Sequence, residues 1–201
     1  MAKRLIDRRV ARSRNMLHQA LHSLIAKKGY DAVTVEDICE TADVGRSTFY
    51  AHFTGKDDLM RCGLEHLRRQ LLDRQKSAVS SADKEARGFG FSLTMFEHAR
   101  DHVHRYQALV GSRGGAVALG TIRQILCDCV RGELAAIGDK NPKDGIPREF
   151  IVLYVVGAYM AVLTWWLDGG AKLPPAKIDA MFQRLASDGI GSLFRQGHFA
   201  L

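Results

Sequence analysis

The stretch at residues 34–56, TVEDICETADVGRSTFYAHFTGK, constrains this chain more than any other. It reads as two short helices joined by a tight turn. Thr34 stands where its hydroxyl can cap the free amides of a helix over 35–42, and Asp37 follows three positions later, a near capping box. Ile38, Cys39 and Ala42 form the apolar side of that helix. After a turn at Asp43, a second helix is expected over 45–53, with Gly45, Phe49 and Phe53 on one inward face at four-residue spacing. Its other surface carries Ser47 and Tyr50, flanked by Arg46, Thr48 and His52, and has no carboxylate of its own. Such a surface suits an anionic partner, and a helix-turn-helix of this kind places its second helix in the major groove of DNA.

The charge distribution agrees. The 201 residues carry a formal charge of +7, and residues 1–30 hold Lys3, Arg4, Arg8, Arg9, Arg12, Arg14, Lys27 and Lys28 against Asp7 alone, so the basic N-terminal stretch accounts for the whole imbalance. Cys39, Cys62, Cys127 and Cys129 have no CxxC spacing, which makes a secreted disulfide framework a poor reading and reduced thiols in a cytoplasmic protein the expectation. MAKRLIDRRV is too charged for a signal peptide. From 150 to 167 the chain has no charged residue, the short edge of what spans a bilayer. Its flanks, Arg148 and Glu149 before and Asp168 after, lack a positive-inside bias, so a buried helix of a soluble protein is expected and no membrane partner.

Taken in order, the chain predicts helices throughout and no strand alternation, hence an all-α fold. A flexible basic arm is expected over 1–7, then a helix over 8–28 closed by Gly29. Beyond Phe53 a helix begins at Lys56, with Asp57 and Asp58 matching its positive end, and continues as one long helix through residue 77, its end marked by the serines and alanines of 77–82. Lys56 at that start is a candidate phosphate contact. Two helices follow over 91–110, then one over 116–137 and one over 148–168, with a turn-rich loop over 138–147. A last amphipathic helix carries Ile178, Met181, Phe182, Leu185 and Ala186 on one side. The expected division is a DNA-binding head with its arm at 1–55 and a helical ligand-binding and dimerisation domain at 56–201.

The order and spacing of Gly29-Tyr30-Asp31-Ala32-Val33-Thr34-Val35, then Ile38, Ala42, Val44, Ser47, Thr48, Phe49, Tyr50, His52, Phe53, Lys56 and Leu59, resemble the TetR family of bacterial transcriptional regulators. Trp165-Trp166-Leu167-Asp168-Gly169-Gly170 followed by Pro174-Pro175 resembles one branch of it. The resemblance implies a three-helix helix-turn-helix head, a helical body with a small-molecule pocket, and a homodimer built from the last two helices. It assigns base contact to Arg46, Ser47 and Thr48, and phosphate contact to Thr34, Tyr50, His52 and Lys56. Asp43 stands where the turn often has glycine, and Gly45 where a hydroxyl cap is frequent; both residue types suit those backbone positions.

A dimer is also expected from the residues themselves. Gly157, Ala158 and Ala161 place small side chains on an otherwise bulky apolar helix, which lets another helix approach closely. The last helix covers part of that face through Met181, Phe182 and Leu185, and a second copy covers the rest. Two-fold symmetry then implies a palindromic double-stranded operator. Phe91, Met95, Phe96, Tyr106, Tyr159 and Trp165 are candidates to line a pocket for an apolar effector. The remaining alternative is a DNA-binding regulator with metal, redox or no input. His98 and His102, with Glu97, Asp101 and His104 nearby, do not by themselves close a metal site, and Cys127 and Cys129 point to different sides of one helix. No metal and no cofactor is expected. Gly88-Phe89-Gly90, Gly55-Lys56 and Gly111-Ser112-Arg113-Gly114 match no dinucleotide, P-loop or nucleophile-elbow pattern, so no enzyme is expected.

Overall fold

Ten α-helices and no strand make up the described residues of the computed structural model, which are 2–80, 89–136 and 145–194. They are α1 (Ala2–Lys28), α2 (Val35–Ala42), α3 (Arg46–Tyr50), α4 (Lys56–Gly63), α5 (Glu65–Ser80), α6 (Phe91–Asp101), α7 (Val103–Leu109), α8 (Arg113–Ala136), α9 (Arg148–Asp168) and α10 (Pro175–Phe194). Two compact units divide the chain. The first takes Met1–His66 and His104–Thr121, the second Leu67–Val103 and Ile122–Leu201.

In the first unit α1 packs on α2 and α4, and α2 on α3. The expected periodicity of α1 is realised: Leu17, Leu21 and Ile25 are buried with Ile38, Phe49 and Leu59 in one core. Burying side chains of this size stabilises by about 1.5–3 kcal/mol each, which is what lets a five-residue α3 persist. The backbone is helical from Ala2, so the expected free arm is replaced by an extension of α1. The second helix of the motif is shorter than the expected 45–53. It ends at Tyr50, although Phe53 still returns its amide to the Phe49 carbonyl at 2.9 Å and is buried with it.

The long helix expected to start at Lys56 is interrupted. Gly63 ends α4, and the Leu64 amide bonds the Arg61 carbonyl at 3.0 Å, tightening the last turn before α5 begins at Glu65. Glycine favours that interruption, and it also admits the His18 ring, which lies 3.4 Å from where a Cβ would sit. Residues 104–121 belong with the first unit, a division different from the expected break at 55/56. Leu109 is buried in its core and Val117 packs against it. Gly114 has no Cβ to collide with the Tyr30 ring, which would stand 2.4 Å away. The eighth helix accordingly begins at Arg113, three residues before the expected start.

In the second unit α6 packs against α9 and α10, and α9 against α10. Pro175 opens α10, where a missing amide costs nothing. Aromatic rings fill the space between the three helices. Tyr159 meets Phe91, Phe96 and Phe182 at centroid distances of 5.2, 4.7 and 5.0 Å, and Phe96 meets Trp166 at 5.4 Å. α9, uncharged from 150 to 167, is long and apolar enough to cross a membrane, and half of its most apolar window is buried. The loop expected over 138–147 lies mostly outside the described residues.

Candidate nucleic-acid interface

The interface is assembled from two local devices and one long-range brace. At the start of α2 the capping box is complete. The Thr34 hydroxyl accepts from the Asp37 amide at 3.1 Å, while the Asp37 carboxylate accepts from the Thr34 amide at 2.7 Å and from its hydroxyl at 2.6 Å. Lys28 joins the same carboxylate at 2.8 Å. Lys28, then the Thr34 hydroxyl and amide, hold the Asp37 carboxyl far below the usual range. Thr34 is exposed, but its hydroxyl is already engaged at both ends.

The turn is the second device. Asp43 adopts the left-handed region at φ 51, ψ 47, and its amide and that of Val44 return to the Glu40 and Cys39 carbonyls at 3.2 and 3.0 Å. This closes α2 as a glycine would. Gly45 is the extended N-cap of α3 with no side-chain bond, and it stays exposed. Phe49 is buried; Arg46, Ser47 and Tyr50 are exposed, and Thr48 and His52 are half-buried. Tyr50 is 59% exposed, with its ring edge-on to that of Phe49 at a centroid distance of 5.3 Å. Arg46, at the first turn of α3, is ion-paired with Glu36 from the first turn of α2. A carboxylate therefore stands beside the recognition helix, which the sequence of α3 alone does not reveal.

Lys56 is turned inward. Its ammonium donates to the Tyr30, Asp31 and Val33 carbonyls at 3.0, 3.3 and 2.8 Å and sits 4.6 Å from the Tyr30 ring centroid. Three donors meet three acceptors, so the residue expected on phosphate is here a brace on the turn between α1 and α2. The neighbouring Asp57 completes that brace. It accepts from the Tyr30 hydroxyl at 2.5 Å and from Arg113 Nε and Nη2 at 3.0 and 2.7 Å. The Tyr30 hydroxyl, followed by Arg113 against the opposing effect of burial, keeps the Asp57 carboxyl below its ordinary range.

The pocket candidates separate. Phe91, Met95, Phe96 and Tyr159 are brought together in the second unit and packed against one another at 0–2% exposure. Trp165 is 62% exposed on α9 and points out of that cluster, because its neighbour Trp166 takes the inward position and donates to the Leu173 carbonyl at 3.1 Å. Tyr106 lies on α7, in the other unit. The interface candidates separate too. Ala158, Ala161, Met181 and Leu185 are exposed and Gly157 half-buried, whereas Phe182 is buried against Tyr159 and belongs to the core.

Sequence reading missed a polar cluster at the start of α6. Gln183 clasps the Phe89 backbone, accepting from its amide at 2.9 Å and donating to its carbonyl at 2.7 Å. Ser92 donates to Asp179 at 2.5 Å, the Tyr159 hydroxyl donates to the Ser92 carbonyl at 3.0 Å, and the Gly90 amide donates to Glu133 at 3.1 Å. α6 has no cap of its own, and side chains from α8 and α10 replace it. Burial pushes the Glu133 carboxyl up to about 7, only partly opposed by the Gly90 bond. Among the described residues no three His, Cys, Asp or Glu side chains group as metal ligands.

Residues 17–61 match the family described as bacterial regulatory proteins, tetR family, and residues 89–188 match a transcriptional regulator C-terminal region. The HTH-type transcriptional regulator YxbF of Bacillus subtilis (strain 168) is 33% identical over 76 residues, which are 37% of this chain and 20% of that protein. The chain thus spans well under half of that relative's length. A TetR-family regulator from Syntrophomonas wolfei superposes with a TM-score of 0.70 at 17% identity, covering 94% of this chain and 98% of the other. FadR of Bacillus subtilis, solved in complex with stearoyl-CoA, gives 0.57 at 17% identity, covering 87% and 98%. With a tetR-family match over residues 17–61 and a regulator C-terminal match over 89–188, the chain belongs to the TetR family of DNA-binding transcriptional regulators.

Proposed function

We propose that the chain works as a homodimeric repressor in the cytoplasm, bound to a palindromic operator and released from it by a small molecule held in the helical second unit. One observation supports the dimer above others. α9 carries an apolar stripe at helical spacing, Phe150, Leu153, Tyr154, Ala158, Ala161 and Trp165, facing away from its own core, and Met181 and Leu185 extend it on α10. Four of its large side chains are 55–62% exposed. Contiguous apolar surface of this extent on a folded unit marks an interaction site. The small residues at its centre let a second copy of α9 approach closely, and two-fold pairing presents two recognition helices to successive major grooves.

The small-molecule input draws its support from the fold shared with FadR of Bacillus subtilis, which was solved with stearoyl-CoA. Effector binding acts by changing the separation of the two recognition helices. The dimer is tested by sedimentation: the wild type sediments as twice the chain mass at micromolar concentration, and Ala158→Arg, which sets a charge in the middle of the stripe, sediments as a monomer with lost operator affinity. A monomeric wild type that still binds operator tightly sinks the reading. A thermal-shift screen against lipophilic and aromatic compounds tests the input.

A further inference from the structure

The ion pair between Glu36 and Arg46 puts an acid and a base side by side on the surface formed by the first turns of α2 and α3, and both side chains are about three-fifths exposed. A carboxylate on a surface that meets a polyanion is repelled by every nearby phosphate. Its place there calls for something it does in exchange. As a contribution to stability the pair is minor, since exposed ion pairs are worth about 0–1 kcal/mol. The favourable position of Glu36 in the first turn of α2 is duplicated by Asp37, which the capping box and Lys28 already hold.

The geometry points to base reading. Glu36 engages the Arg46 guanidinium through Nη2, and that fork has five N–H donors, so donors remain for a second partner. In the major groove a G·C pair shows two acceptors on guanine, N7 and O6, beside one donor on cytosine, the N4 amino group. A guanidinium next to a carboxylate presents the complementary set. A T·A or A·T pair has no equivalent arrangement, because adenine sets a donor beside its acceptor and thymine adds a methyl group. We infer that Glu36 and Arg46 act as one reader of a single G·C base pair in each half-site, Arg46 bonding the guanine and Glu36 holding the guanidinium and accepting from the cytosine.

The inference rests on the family's DNA reading and adds Glu36 as a specificity-determining residue. It also gives Glu36 an effect opposite to that of an ordinary contact. Removing the carboxylate lifts phosphate repulsion, so Glu36→Ala binds random-sequence DNA a few-fold more tightly while its preference for operator over random sequence falls about tenfold. The experiment is competition binding, with wild type, Glu36→Ala, Glu36→Gln, Arg46→Ala and the double variant, against a set of operators in which each base pair is changed in turn. The expected result is one G·C position per half-site whose preference is lost in every variant lacking either side chain, with the double variant no worse there than Arg46→Ala. Glu36→Ala that weakens all sequences equally, or that shifts preference at a position Arg46→Ala leaves alone, overturns the inference while leaving DNA binding intact. A wild type with no salt-dependent DNA binding overturns the family reading along with it. Both side chains are exposed, and unchanged melting of each variant confirms that binding alone is being read.

Discussion

The Lys56 ammonium lies 2.8 Å from the Val33 carbonyl, twenty-three residues back in the chain, and closes the turn from which α2 starts. Its other two bonds go to the Tyr30 and Asp31 carbonyls of the same turn. The residue expected on phosphate thereby fixes where Thr34 stands. Lys56→Met is therefore expected to lower the stability of the first unit by about 1.5–3 kcal/mol, the worth of hydrogen bonds to a charged donor. Operator affinity should fall with it while the dependence on log salt keeps its slope. A phosphate contact would do the reverse, reducing the slope by about one with no change in melting.

Gly114 has a matching role beside the Tyr30 ring. A Cβ there would lie 2.4 Å from the ring and 2.9 Å from Leu109, so Gly114→Ala is expected to destabilise by about 1–3 kcal/mol, against the gain a glycine-to-alanine change normally brings inside a helix. Gly120, on the same helix with nothing within 4 Å, is the control: Gly120→Ala should stabilise by about 0.5–1 kcal/mol. Thermal unfolding of the two variants separates the cases.

Asp43 holds a left-handed backbone at φ 51 without being glycine. Asp43→Gly is expected to leave the turn intact and stabilise modestly, while Asp43→Val, β-branched at the same angle, costs about 1–3 kcal/mol and lowers operator affinity. Equal melting of all three would show the turn adopting another conformation.

The polar cluster at α6 sets a pH dependence whose sign follows from Glu133. Its carboxyl rises from the ordinary 4.5 to about 7 in the folded chain, so folding favours the protonated form. That contribution is fully present below about pH 4.5 and is lost as pH rises through about 7. Asp179, also pushed up by burial, acts in the same direction. Glu133→Gln keeps an acceptor for the Gly90 amide without a titrating group. The decline in melting temperature between pH 5 and pH 8 is therefore expected to be shallower in this variant than in wild type at constant ionic strength, and an unchanged decline would assign the dependence elsewhere.

What the sequence made legible was local. The Thr34 and Asp37 box, the Phe49 and Phe53 spacing and the tolerance of Asp43 for its turn all depend on residues within four positions, where helix geometry fixes which groups meet. Lys56 on Val33, Arg113 on Asp57 and Gln183 on Phe89 join positions 23, 56 and 94 apart, and nothing in the local pattern announces them. The faces of α9 were illegible for another reason. A helix apolar all round carries no amphipathic signal, so neither the outward turn of Trp165 nor the inward turn of Trp166 follows from spacing. On the amphipathic α10 the apolar side holds both core and outward residues, and spacing alone grouped Phe182, which fills the core beside Tyr159, with the exposed Met181 and Leu185.

Selection of bound fragments from random double-stranded DNA tests the central account most directly. A dimer reading DNA through α3 enriches an inverted repeat, with its two half-sites centred about one helical turn or a multiple apart and a G·C pair fixed in each. Enrichment of an unrepeated sequence, or none above background at low salt, would contradict it.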